Sequence, residues 1–336
     1  MNLPRFRECF VYACTLLAAV SVAAQGVVAQ GIVASGARVE SLGRVAFTEG
    51  PAWHPDGSVY FSDIENNRIM RLSPDGLLDV FRTPSGKANG LLFDHQGRLI
   101  ACEGGNRWVT RTEADGTVRV LANRYEGKKF NSPNDVTIDS QGHLFFTDPR
   151  YGDRSNLEMF DAEGKSIEGV YRIDPDGKVT RILTHEIERP NGIAVSPDDK
   201  HLFVAVNTND DQGNSRSLWR FELNEARDIV AGSQKKLFDW GTDRGPDGMA
   251  IDKQSRLYVT AGFNHAEPPH QTSKKYKAGV YVFSPDGQLL QTIPVPIDMI
   301  TNCAFGGEDR KTLYITAGHK LWNIRVNHPG HTAWPK

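Results

Sequence analysis

The stretch N-S-P-N-D-V-T-I-D-S-Q-G-H-L-F-F-T-D, Asn131 to Asp148, reads as a strand, a tight turn and a returning strand. Val136 and Ile138 alternate with polar residues, Ser140-Gln141-Gly142 supplies the turn, and Leu144 to Thr147 runs back. The chain repeats this unit. E-G-P-A-W-H-P-D-G-S-V-Y-F-S-D runs from Glu49 to Asp63, and N-G-L-L-F-D-H-Q-G-R-L-I-A-C-E from Asn89 to Glu103. N-G-I-A-V-S-P-D-D-K-H-L-F-V-A starts at Asn191, D-G-M-A-I-D-K-Q-S-R-L-Y-V-T-A at Asp247, and N-C-A-F-G-G-E-D-R-K-T-L-Y-I-T-A at Asn302. Anchored on the turn, the copies open with Glu49, Asn89, Asn134, Asn191, Asp247 and Asn302, about 40 to 57 residues apart. Every copy opens with a carboxylate or a carboxamide.

Material for two further strands follows each opening pair. V-Y-R-I, D-P-D-G and K-V-T-R-I-L follow the third copy; V-Y-V-F, S-P-D-G and Q-L-L-Q-T-I follow the fifth. The P-D-G turns at Pro74, Pro175 and Pro285 are hairpin signals. Four short antiparallel strands repeated at this period predict an all-β, six-bladed β-propeller. A solenoid of the same units is disfavoured because no capping repeats are visible. The sixth copy ends one strand short, and A-R-V-E-S-L near Ala37 to Leu42 is available to complete it. Closure by that N-terminal strand removes an open sheet edge.

The first strand of a propeller blade lines the central channel, so the six opening residues are expected at one height around one axis. Two carboxylates, Glu49 and Asp247, with up to four carboxamides suit a hard divalent cation bound through oxygen. Turn capping is the competing explanation for any one such residue; six in register, one of them a glutamate, favour a ligand ring. Copies three, four and five carry insertions after the second strand, at Pro149 to Gly169, Asn207 to Ser217 and Gly262 to Ala278. Second strands return to the face where the first began. The insertions are therefore expected to wall a pocket over the ring, with Asp63, Glu103 and Asp148 at its rim.

Composition agrees with one soluble domain. The 336 residues are 39% hydrophobic and 24% charged, with 32 Gly and 18 Pro, and a formal net charge of -2 argues against nucleic-acid or anionic-membrane partners. Arg5 and Arg7 precede an apolar run from Phe10 to Val20 and small residues at Ser21 to Ala24. This pattern predicts a signal peptide over residues 1–24 and export, periplasmic or secreted, with no membrane association after cleavage. Residues 25–36 read as a flexible leader and 37–330 as the propeller. Cys102 and Cys303 remain in the mature chain; two separate buried thiols are expected in preference to a disulfide.

The motifs E-G-P-x-W, S-P-N-D-V, T-D-P-x-Y-G, R-P-N-G-I-A and P-D-G-M-A-I-D occur in order from Val45 to Val326. They resemble those of the senescence marker protein/gluconolactonase/luciferin-regenerating enzyme family, and most of all its exported bacterial gluconolactonases. Diisopropylfluorophosphatase and paraoxonase are more distantly similar. The resemblance implies a six-bladed propeller with one divalent cation, most often calcium, with magnesium, zinc or manganese as alternatives. It implies metal ligands at Glu49, Asn134, Asn191 and Asp247, four of the six ring positions. It places the proton donor and acceptor at Asp247, and Asp247 is also the ring carboxylate whose counterparts are mostly amides. Substrate contacts are expected at Glu103, Ser132, Asn134, Asp148 and Tyr151. Ser132 replaces an arginine that contacts substrate in animal members, and Gly104 and Trp108 depart from the bacterial C-E-H-G-N-R-R.

The function so implied is opening of a small-molecule lactone by a monomer or weak oligomer. No G-x-S-x-G elbow or H-E-x-x-H motif competes. The rival readings are a metal-dependent phosphotriesterase or aryl esterase, and a non-catalytic secreted propeller that binds a ligand or protein.

Overall fold

The computed structural model describes residues 31–151, 154–209 and 215–332. Six four-stranded antiparallel sheets follow one another along this chain. Their first strands are Thr48–Trp53, Ala88–Phe93, Val136–Ile138, Pro190–Val195, Met249–Ile251 and Ile300–Gly306. Each first strand contacts that of the next sheet, and the sixth contacts the first, so the six blades close a ring around a central channel.

Closure uses the N-terminal strand. Glu40–Arg44 pairs antiparallel with Lys320–Arg325, with Glu40 opposite Asn323 and Ser41 opposite Trp322, and becomes the outer strand of blade six. It lies slightly C-terminal to the Ala37–Leu42 expected from the sequence. The segment read as a leader is anchored from Gly31 on. Ile32 is buried in the interface of blades five and six, and Asn327 donates through its amide to the Val33 carbonyl at 2.9 Å. The signal segment and the first part of the leader lie outside the described residues.

The core is a set of inter-blade seams, not one central mass. Phe61 and Met70 of blade one pack against Leu321 of blade six. Phe146 and Tyr171 of blade three meet Ile100 and Val109 of blade two. Phe203 and Leu218 of blade four meet Leu257 and Tyr281 of blade five. Each such side chain, once buried, contributes about 1.5–3 kcal/mol, and alternation along the strands is what delivers it to a seam. Cys102 and Cys303 are buried free thiols in separate seams. The P-D-G hairpins form as expected: Gly76 donates to Ser73 at 3.0 Å and adopts a φ of 85°, which a side chain would resist.

Candidate functional site at the channel axis

A belt of hydrogen bonds at one level ties every blade to the next. Ser62 Oγ donates to the Asn89 carbonyl, Gly90 N to the Asn134 carbonyl, and Thr147 Oγ1 to the Asn191 carbonyl, at 2.7 Å each. Gly192 N reaches the Asp247 carbonyl at 2.9 Å, Gly248 N the Thr301 carbonyl at 2.6 Å, and Thr301 Oγ1 the Thr48 carbonyl at 2.9 Å. The belt runs through the opening residues themselves or their neighbours and holds all six at one height. It also explains the glycine that follows four of them. A Cβ on Gly50 would fall 2.1 Å from the Asn89 carbonyl oxygen, and one on Gly192 would fall 2.3 Å from that of Asp247.

Glu49, Asn134, Asn191, Asp247 and Asn302 are all buried. The side-chain oxygens of Asn89 and Asn134 are buried with no hydrogen-bond partner among the described residues. A buried amide oxygen left unpaired costs about 1–3 kcal/mol. Asn302 is different: its oxygen accepts from Cys303 N at 2.8 Å and its nitrogen donates to Asp135 Oδ2 at 3.3 Å. Asn191 donates to the Tyr151 hydroxyl at 3.1 Å, and Tyr151 donates in turn to the Asn207 carbonyl at 3.3 Å. Burial raises the Tyr151 phenol, so this hydroxyl stays protonated.

Two residues absent from the sequence expectation complete the axis. Asp135 follows Asn134 where four other blades have glycine, and it spans the channel to Asn302 of the opposite blade. A Cβ on Gly90 would strike its Oδ1 at 2.5 Å, so the neighbouring glycine makes its room. Arg244 donates to Asp247 Oδ2 at 2.9 Å and is itself buried. The glycine rule broken at Asp135 was visible in the repeat; Arg244 precedes its ring residue by three positions and has no counterpart in register.

Three buried carboxylates thus share the axis, and their proton affinities show it. Burial, then the charges of Asp247 and Asp135, hold Glu49 well above the usual carboxylate range. Burial pushes Asp135 up to about 7. Burial also raises Asp247, to about 6, with the Arg244 guanidinium and a hydrogen bond from Asn191 pulling the other way. This donor set contains only oxygen, carries a surplus of negative charge and includes unpaired amide oxygens. It fits a hard divalent cation. Among the described residues no three His, Cys, Asp or Glu side chains form a metal cluster on their own; a cation at the axis would need the carboxamides for part of its shell.

The expected rim carboxylates turn out to be spent on the scaffold. Asp63 accepts from Ala46 N and Phe47 N at 3.2 and 3.1 Å, and Asp148 from Asn131 N and Ser132 N at 2.8 Å each. Glu103 binds Arg82 at 2.7 Å and Thr110 and Asn106 at 2.6 Å each. All three are buried. By these contacts Asp63 and Asp148 fix the chain that enters the first strand of their own blade, and Asp148 so sets Ser132. Ser132 lies against Gly104, where a Cβ would approach its hydroxyl to 2.8 Å. Tyr151, through Asn191, is the expected substrate residue in side-chain contact with the ring.

Described residues of all three insertions reach the ring or its flank: Tyr151 meets Asn191, Asn209 accepts from Gly245 N, and Gln271 accepts from Arg244. Asp243 organises the third of them: it accepts from Thr272 Oγ1 and from the backbone of Lys274, Lys275 and Tyr276, the last three at 3.0, 2.7 and 2.8 Å. A separate cavity of about 130 Å³ lies in the channel beyond the ring, on the opposite side. Asp135 and Asn302 form its upper end, Met249 and Phe305 its walls, and His331 its lower end. None of Glu49, Asn134, Asn191 or Asp247 lines it.

A family model for the SMP-30/gluconolactonase/LRE-like region matches residues 47–319, most of the chain and all six opening residues. The chain belongs to this family. Gluconolactonase of Zymomonas mobilis is 32% identical over 303 residues, covering 84% of this chain and 79% of that protein. Pentonolactonase XacC of Haloferax volcanii is 25% identical, covering 80% of each. The solved gluconolactonase of Xanthomonas campestris superposes with a TM-score of 0.72 at 30% identity, over 88% of this chain and 91% of that one. In this SMP-30/gluconolactonase/LRE-like propeller the five family motifs fall on ring residues or on the loops that fix them.

Proposed function

We propose that this propeller is a metal-dependent hydrolase that opens a sugar lactone at the ring face. The observation that carries the reading is the ring itself: two buried carboxylates, and carboxamide oxygens buried and unpaired among the described residues, at one height, in a chain similar to a gluconolactonase and a pentonolactonase. Glu49, Asn134, Asn191 and Asp247 would hold the cation, and calcium suits an all-oxygen shell best. Bound there, a divalent cation supplies Lewis acidity that polarises a carbonyl and stabilises the charge it develops.

The chain's own residues account for the proton. Asp247, at about 6, is ionised at neutral pH yet basic enough to take a proton from water as the water oxygen bonds to the lactone carbonyl carbon. The bond from that carbon to the ring oxygen then breaks, and Asp247 returns the proton to the departing oxygen. The product is an open-chain hydroxy acid. Glu49, the other ring carboxylate, would neutralise part of the cation's charge. Asp148 and Asp63 keep the entering loops in place, and Tyr151 orients Asn191.

The arginine-flanked apolar segment at residues 5–20 supports export, which forms part of the proposal. The test of function is hydrolysis of gluconolactone with added divalent cation against a chelated control, alongside an aryl ester and a phosphotriester. Lactone opening that requires the cation and exceeds the other two supports the reading. Preference for the aryl ester or phosphotriester replaces it, and no turnover of any of them leaves a binding propeller.

A further inference from the structure

We infer that Arg244 is a substrate-contacting residue, whose guanidinium holds the carboxyl oxygen of the opened lactone and of the group that precedes it. The inference rests on the lactonase reading above. Arg244 is buried, with only 8% of its side chain exposed, and it sits between the ring and the lid. One terminal nitrogen donates to Asp247 Oδ2 at 2.9 Å, and the other to Gln271 Oε1 of the blade-five insertion at 3.3 Å. Its Cζ lies 5.2 Å from the ring centroid of Phe263, in the same insertion. Its backbone carbonyl accepts from Gly262 N at 3.0 Å, so the residue is fixed at both ends.

What is unspent decides the argument. A guanidinium carries five N–H donors in a rigid fork. Nε of Arg244 is buried with no partner among the described residues. The amide nitrogen of Asn209, whose oxygen accepts from Gly245 N at 2.8 Å, is likewise buried and unpaired. Two orphan donors on adjacent elements of a buried site need an acceptor that arrives from outside. The reaction supplies one. As water adds to the lactone carbonyl, negative charge grows on its oxygen, and after ring opening two equivalent carboxylate oxygens remain. A planar fork beside the base matches that group and gains strength as the charge develops.

A structural tie is the competing role, and metal affinity separates the two. A cation beside Asp247 opposes a second cation in the ring, so removing it leaves divalent binding as tight as in the wild type or tighter. Losing a contact to a carboxylate weakens product binding instead. The experiment is calorimetric titration of cation-loaded wild type, Arg244→Lys and Arg244→Gln with gluconate. A parallel titration of the metal-free proteins with calcium, and steady-state kinetics on gluconolactone, accompany it. We expect gluconate affinity to fall about tenfold to a hundredfold in Arg244→Gln, the span for removing a charge-assisted hydrogen bond. Arg244→Lys, which keeps the charge without the fork, should fall in between, and calcium affinity should not weaken in either. Unchanged gluconate affinity and kcat/KM in a wild type that opens the lactone overturns the assignment and leaves the lactonase reading standing. Parallel loss of calcium and gluconate affinity overturns it in favour of a structural tie. A wild type that neither binds gluconate nor opens the lactone fails the lactonase reading, and this inference with it.

Discussion

The division of labour within the ring is decided atom by atom. Asn302 spends its oxygen on Cys303 and its nitrogen on Asp135, whereas the Asn134 oxygen has nothing to accept from among the described residues. Asn134 and Asn191 are therefore the neutral positions to test. Asn134→Ala and Asn191→Ala each remove one oxygen donor from the axis while the belt, built from backbone and hydroxyl groups, is untouched. Calcium affinity should fall about tenfold or more for each, with the thermal midpoint of the metal-free protein shifting little. Calcium titrations that match the wild type would remove these residues from the shell. The ring was legible in the sequence because it is periodic, and six aligned residues declare themselves. Asp135 and Arg244 were missed for the same reason: one replaces a repeated glycine, and the other belongs to no repeat.

At the scale of elements, a carboxylate at the end of a second strand does a different job from the one its position implied. Asp63, Glu103 and Asp148 look like pocket residues because they stand at the ring end of their strands, but the loops there need their backbone N–H groups and cationic side chains satisfied. Sequence shows where a carboxylate lies and not what it is already bound to. Asp243 applies the same device to the lid, since it gathers four donors from residues Thr272 to Tyr276. Asp243→Ala should free that insertion and leave the blades intact. Hydrogen exchange across residues 262–278 is expected to accelerate by at least about tenfold, with kcat/KM lowered and the thermal midpoint nearly unchanged. Unaltered exchange in that segment would show that the lid is held by something else.

For the whole molecule, the propeller was readable from repeat length, turn chemistry and one missing strand. The strand came from the N-terminus, three residues further along than the pattern placed it, because pairing with Lys320–Arg325 fixes the register. The channel's electrostatics were not readable, since they depend on three carboxylates meeting across blades. They set how stability follows pH. Asp135 is raised from the ordinary 3.8 to about 7, and Asp247 to about 6. A folded pKa above the unfolded one means the folded state keeps its proton longer, so this contribution is complete below about pH 4 and lost as pH rises to about 7. The chelated protein should therefore lose thermal stability between about pH 5 and about pH 7, less steeply in Asp135→Asn. Calcium should restore more at the upper end, where the carboxylates are ionised and bind it. A midpoint that is flat or rising for the chelated protein over that window, and the same in Asp135→Asn, contradicts the axial cluster.

The central claim is that Asp247 moves the proton and does not merely hold the cation. Asp247→Asn keeps an oxygen at the position that asparagine already occupies in blades two, three, four and six, and removes the charge and the basicity. The decisive measurement is kcat for gluconolactone in this variant at cation concentrations shown by titration to saturate it. At saturation, turnover should remain down by on the order of a hundredfold or more, the contribution of a placed general base. The acidic limb of the pH profile should disappear with it. Near-normal turnover in the saturated Asp247→Asn protein would contradict the central claim and reduce Asp247 to a ligand.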